Sequence, residues 1–149
     1  ESPRELMAKW DPLTFNQFTK TQCPTHVVNV LEDLVNFTSR NADIVSWGRG
    51  DETGMVTFKA RSDEGILPLF SMTTDGQIKL YTNYLRERQI AREILRDYQL
   101  KMESTFLLDL DPEIYPHDVY HTVDDLFHTQ NQVEKFKNAI LGVTARLHQ

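Results

Sequence analysis

Gln77-Ile78-Lys79 sets an amide and an amine two residues apart, on the same side of any extended segment that carries them. An acid or amide followed at i+2 by lysine is a spacing used in metal-assisted phosphodiester hydrolysis. Carboxylates hold Mg²⁺ there, and the ammonium orients or polarises the attacking water. Asp63 or Asp75 would have to supply the carboxylate, and both stand in turn-forming sequence rather than at a strand end. A second set is His117-Asp118-x-x-His121, followed by Asp124, Asp125 and His128, the densest run of metal-capable side chains in the chain. On a helix, His117, His121, Asp124 and His128 would project from neighbouring turns and suit zinc or iron. Pro116 and the crowded aspartates instead favour a polar loop. The third set is Arg88, Arg92 and Arg96 at i, i+4 spacing, with Arg86 and Lys101 at its ends. Such a ridge can grip phosphates or an acidic partner. Glu87, Glu93 and Asp97 interleave with it, so pairing along one helix accounts for the same pattern.

The elements that must position these residues are legible from periodicity. Ile44–Trp47, Met55–Arg61, Leu67–Thr73 and Gln77–Tyr81 read as four strands, separated by Gly- and Asp-rich turns, and predict an antiparallel meander. Val56, Phe58 and Ala60 share one face, as do Ile78 and Leu80. The third strand is apolar on both faces near its start and belongs in the centre, with Pro68 at its beginning. Ahead of the meander, Asp11 and Pro12 open a short helix, with Trp10 set to staple onto Phe15. Cys23-Pro24 stops it, and Thr25 caps a second helix that ends near Asn41. A long helix is expected from Tyr84 to Met102. Thr105–Leu110 follows as either a fifth strand or an extended stretch, and Asp111–His121 as a loop. Thr122–Phe127 suits a helical turn. Thr129 and Gln132 form a capping box for a last helix whose stripe is Val133, Phe136, Ile140, Val143 and Leu147. The expected fold is a single α+β domain over 1–149, a four-stranded meander with helices packed on one face.

Composition narrows the function classes. The chain of 149 residues is 40% hydrophobic, enough for a core, and carries a net charge of −6. The acid is concentrated at one end: residues 102–149 hold 3 Lys and Arg against 8 Asp and Glu, with no Lys or Arg between Met102 and Glu134. That balance does not favour nucleic acid, which requires clustered cations. Cys23 stands alone, which excludes an internal disulfide or a cysteine zinc cage and fits a reducing, cytoplasmic setting. No apolar run approaches the ~20 residues of a membrane span. The start, Glu1-Ser-Pro-Arg4, has neither a signal peptide nor an initiator Met, as a piece excised from a longer protein would. Arg49-Gly50-Asp51 resembles an integrin-binding tripeptide but reads as hairpin loop, and the sequon Asn36-Phe37-Thr38 falls inside a helix. Trp47 is expected to cap the core with its ring. No Gly-rich phosphate loop and no Ser-His-Asp arrangement occurs.

Trp47-Gly48-Arg-Gly50, then Leu69-Phe70-Ser71-Met72-x-x-Asp75-Gly76-x-Ile78-x-Leu80 and a charged helix, resemble accessory domains of bacterial proteins, some beside restriction-type nuclease modules. The resemblance spans 26–149 and implies an intracellular module serving a larger machine, without implying catalytic residues. The resulting expectation is a non-catalytic, cofactor-free domain that binds a protein partner or adjacent domain through Arg86, Arg88, Arg92, Arg96 and Lys101, within a nucleic-acid-processing or defence assembly. The rival is a metal-dependent nuclease of restriction type working through Gln77 and Lys79.

Overall fold

Asp11 caps the first helix. Its carboxylate accepts the Thr14 amide at 2.8 Å while the Thr14 hydroxyl accepts the Asp11 amide at 3.0 Å, and Pro12 takes the first helical position. The computed structural model describes residues 10–48 and 53–149. The Glu1–Arg4 start and the Arg49-Gly50-Asp51 tripeptide lie outside the described residues. Helix α1 spans Pro12–Gln22 and α2 spans Thr25–Asn41, divided at Cys23 because a residue before proline is driven to extended backbone. Pro24, not Thr25, stands at the cap of α2, so no side chain caps that helix. Trp10 meets Phe18 edge-on at 5.1 Å rather than Phe15, which turns to Trp47 at 5.9 Å.

Five strands follow in the order β1-β2-β3-β4-β5, each antiparallel to its neighbours: Ile44–Trp47, Met55–Ser62, Gly65–Thr73, Gln77–Leu80 and Tyr120–Thr122. The meander is therefore as expected, with β3 central. Pro68 sits four residues into β3 rather than at its beginning, and a bulge accommodates it. Phe58 pairs with Phe70 and Lys59 with Pro68, leaving Leu69 opposite nothing. Its carbonyl accepts instead from the Tyr81 amide at 3.1 Å and from the buried Tyr98 hydroxyl at 2.6 Å. Gly76 turns the β3–β4 hairpin at φ +88, where a Cβ would press on Cys23 Sγ at 3.2 Å.

Register assigns the two faces. Val56, Phe58, Ala60, Phe70, Met72, Ile78 and Leu80 point one way and are buried. A column of rings runs through that side. Phe37 of α2 stacks on Phe58 at 5.8 Å, Phe58 on Phe70 at 5.4 Å, and Phe70 meets Phe136 edge-on at 4.8 Å. Phe136 belongs to the last helix, Gln130–Leu147, which opens with the expected Thr129/Gln132 capping box. The opposite face carries Thr57, Lys59, Ser71, Thr73, Gln77, Lys79 and Tyr120.

The stretch after β4 departs most from expectation. In place of one helix over Tyr84–Met102 there are two, α3 at Thr82–Arg86 and α4 at Arg92–Phe106. Thirteen residues of continuous helix would separate Arg86 from Gln99 by about 20 Å. Their side chains hydrogen-bond, because the chain doubles back at 87–91. Thr105–Leu110 is not a strand: its first two residues end α4, and Leu107 reverses direction in the left-handed region at φ 56. The fifth strand is instead Tyr120–Thr122, across the boundary between the expected loop and the expected helical turn, and the short helix α5, Val123–Leu126, follows it. The last helix is α6. Among the described residues no helix is long and apolar enough to cross a membrane.

Candidate interaction surfaces

The break between α3 and α4 divides the arginine ridge. Arg86 donates to the side chains of Asn83 and Gln99. Arg88 lies in the connection, its guanidinium 4.2 Å above the Tyr84 ring. Arg92 and Arg96 are exposed on α4, and Lys101 pairs with Asp97 at 3.0 Å. Only the last three share a helix, so the five cations form two groups rather than one ridge.

Gln77 and Lys79 do share a face of β4. Asp63 turns the β2–β3 hairpin at the other end of the sheet, and Asp75 accepts the Thr73 hydroxyl in the β3–β4 turn. Lys79 instead lies between two rings: its ammonium is 5.3 Å from the centre of the Tyr81 ring and 5.2 Å from that of Tyr120. The three histidines also separate, since 117–128 is not a helix. His121 sits in β5 on the apolar side of the sheet, where burial lowers its pKa against the opposing pull of Asp125. His128 precedes α6, where its amide donates to Gln132 at 2.7 Å. Among the described residues, no three His, Cys, Asp or Glu side chains gather closely enough to hold a metal ion.

Two arrangements stand out in the folded chain. One is the strap over 107–119, which leaves α4 and returns as β5. Leu107, Ile114, Tyr115 and Val119 on it are 91%, 60%, 49% and 55% exposed, four of the nine large apolar side chains exposed among the described residues. Such clustering marks an interaction site more often than scattered surface leucines do. The strap encloses a mainly apolar cleft of about 410 Å³, with Leu80, Leu108 and Leu110 inside and Asp109, Asp118 and His117 at its border. Asp118 fastens the strap to the body. Its carboxylate accepts the amides of Asn83 at 2.8 Å and Tyr84 at 2.9 Å, the first turn of α3, and Asn83 Nδ2 donates to the Tyr115 carbonyl at 2.9 Å.

The other lies on the polar face of the sheet. Thr57, Ser71 and Tyr81 link hydroxyl to hydroxyl at 2.6 and 2.8 Å, which satisfies the buried Thr57 and Ser71. Tyr120 reaches across to Met55, its hydroxyl 3.3 Å from Sδ. Burial, with Tyr81 and Asp75 nearby, raises its pKa, so the phenol stays protonated. β5 separates the two surfaces by alternation: Val119 and His121 face the cleft, Tyr120 and Thr122 the polar side.

Sequence reasoning missed both. The i, i+2 row Gln77-Lys79-Tyr81 was readable, but its partner Tyr120 depends on a three-residue strand. No protein-family model, curated protein or solved structure matches this chain.

Proposed function

We propose that this chain is a non-catalytic, partner-binding accessory domain of a larger bacterial assembly, and that the strap over 107–119 is its protein-docking surface. One observation carries the reading: four large apolar side chains stand exposed on the strap, three of them, Leu107, Tyr115 and Val119, lining an apolar cleft, and the strap's charged residues are all acidic. An apolar centre with a charged rim is the anatomy of a protein interface.

Charge complementarity sets the occupant. Asp109, Asp111, Glu113 and Asp118 border the strap, so the fitting partner is a protein segment with spaced apolar residues and flanking Lys or Arg. The two cationic groups, Arg86 with Arg88 and Arg92 with Arg96 and Lys101, meet carboxylates of the same partner. Arg86 adjoins the strap through Asn83, which bonds Tyr115.

The test is selection from a displayed random-peptide library. The native protein should enrich apolar peptides flanked by Lys or Arg. The double variant Leu107→Asp, Val119→Asp should lose them at least tenfold while keeping its circular dichroism, because both side chains are exposed. Equal capture by the double variant, or enrichment of acidic peptides at the strap, overturns the proposal.

A further inference from the structure

We infer that the polar face of the sheet is a platform for single-stranded nucleic acid, a second binding activity separate from the strap. The chain is acidic overall, yet the charged strand residues that register places on this face are Lys59, Arg61 and Lys79, all cations. Phosphate affinity depends on the local cluster rather than on net charge alone. The face also presents two rings beside the central cation. Lys79 lies between Tyr81 and Tyr120, and both phenols are tethered at the tip, to Ser71 and to Met55. Rings held in this way keep a fixed orientation, so stacking a base on them costs little ordering.

Rings next to cations on an open sheet match the two needs of a flexible nucleotide chain, a flat apolar surface for the base and a positive charge for the phosphate. An acidic peptide would use the cations and leave the rings idle. A duplex hides its base faces and would use only the cations as well. From β5 to β2 the platform crosses three strand spacings, about 14 Å, room for a short run of nucleotides. Glu87 and Asp118 border the Tyr84 end, Asp75 lies near Tyr120 and Asp43 near Arg61, so the strand's path runs between these carboxylates, from Lys79 and the two rings toward Lys59. The hydroxyls of Thr57 and Ser71 are consumed in their own row, which predicts little base discrimination.

Fluorescence anisotropy tests this with the whole chain and a labelled oligothymidylate of about 12 nucleotides, from about 50 to 200 mM salt. Three competitors are used: an abasic strand of equal length, a duplex, and a polyglutamate peptide. Binding should weaken steeply with salt, and the abasic strand should compete at least tenfold less well. Tyr120→Ala should cost about tenfold and Tyr120→Phe much less, a contrast that separates ring loss from misfolding. Lys79→Gln should lower affinity and flatten the salt dependence. Equal competition by the abasic strand, preference for the duplex, preference for polyglutamate, or no binding at low salt would each overturn the inference. Leu107→Asp with Val119→Asp should leave oligonucleotide binding intact, so failure of one surface is distinguishable from failure of the other.

Discussion

Removing the Asp118 carboxylate should release the strap and uncap α3 together. In Asp118→Ala two backbone amides, of Asn83 and Tyr84, lose charged acceptors at 2.8 and 2.9 Å, and the longer contact from the Thr82 hydroxyl at 3.4 Å goes with them. Loss of an N-terminal cap costs roughly 0.5–2 kcal/mol, and hydrogen bonds to charged groups run toward about 3 kcal/mol. The site is only partly buried, so water recovers part of the loss. We expect about 2 kcal/mol, which in a chain of this size lowers Tm by about 4–8 °C. Asp118→Asn keeps an acceptor without its charge and should lose about half as much. Urea denaturation followed by circular dichroism measures the total, and amide hydrogen exchange locates it. The Asn83 and Tyr84 amides should lose protection while those of the β2–β3 ladder change only with global stability. A loss below about 0.5 kcal/mol, or unchanged exchange at Asn83 and Tyr84, would refute the assignment of Asp118 as the clasp between strap and helix.

Two further outcomes follow from strain and from titration. Leu107 holds φ 56 while 91% exposed, a conformation that costs a non-glycine residue roughly 1–2 kcal/mol. Leu107→Gly should therefore raise stability by about 0.5–1 kcal/mol and yet weaken capture of apolar peptides, an opposition readable by pairing a melting curve with the library-derived peptide. His121 has a lowered pKa in the folded chain, so its contribution is complete above the unfolded value of about 6.5. It is lost as pH falls from there toward the folded value, and does not change further below it. Urea midpoints at several pH values should show that decline in the native protein and a shallower one in His121→Gln.

What the chain discloses in advance depends on how far each cause lies along it. The capping boxes at Asp11/Thr14 and Thr129/Gln132 close within three residues, and both are present in the folded chain. The alternation Val56-Phe58-Ala60 and Ile78-Leu80 needs only its own strand, and those side chains are buried together. The break at 87–91 has no local mark, since Arg-Glu-Arg-Gln-Ile-Ala suits a helix. It is imposed from elsewhere, by Asp118 gripping α3 from 34 and 35 residues away and by Tyr98 bonding the bulged Leu69 carbonyl. β5 was hidden for the same reason: three residues hold no measurable period, and only their pairing with Gln77–Lys79 makes them a strand.

The division of labour between the two surfaces has a single structural origin. An antiparallel meander covered on one side leaves its other side for chemistry. Alternation along its last strand then sends neighbouring side chains to opposite destinations, Val119 to the apolar cleft and Tyr120 to the cationic face. A one-residue slip of β5 would exchange them, placing an aliphatic group against Lys79 and a phenol in the cleft. The clasp that prevents such a slip is adjacent in sequence: Asp118, pinned to the amides of α3, fixes where the strand begins. Holding Asp118 in place therefore sets the register on which both proposed surfaces depend. It follows that Asp118→Ala should impair peptide capture and oligonucleotide binding together, whereas Leu107→Asp with Val119→Asp impairs only the first and Tyr120→Ala only the second.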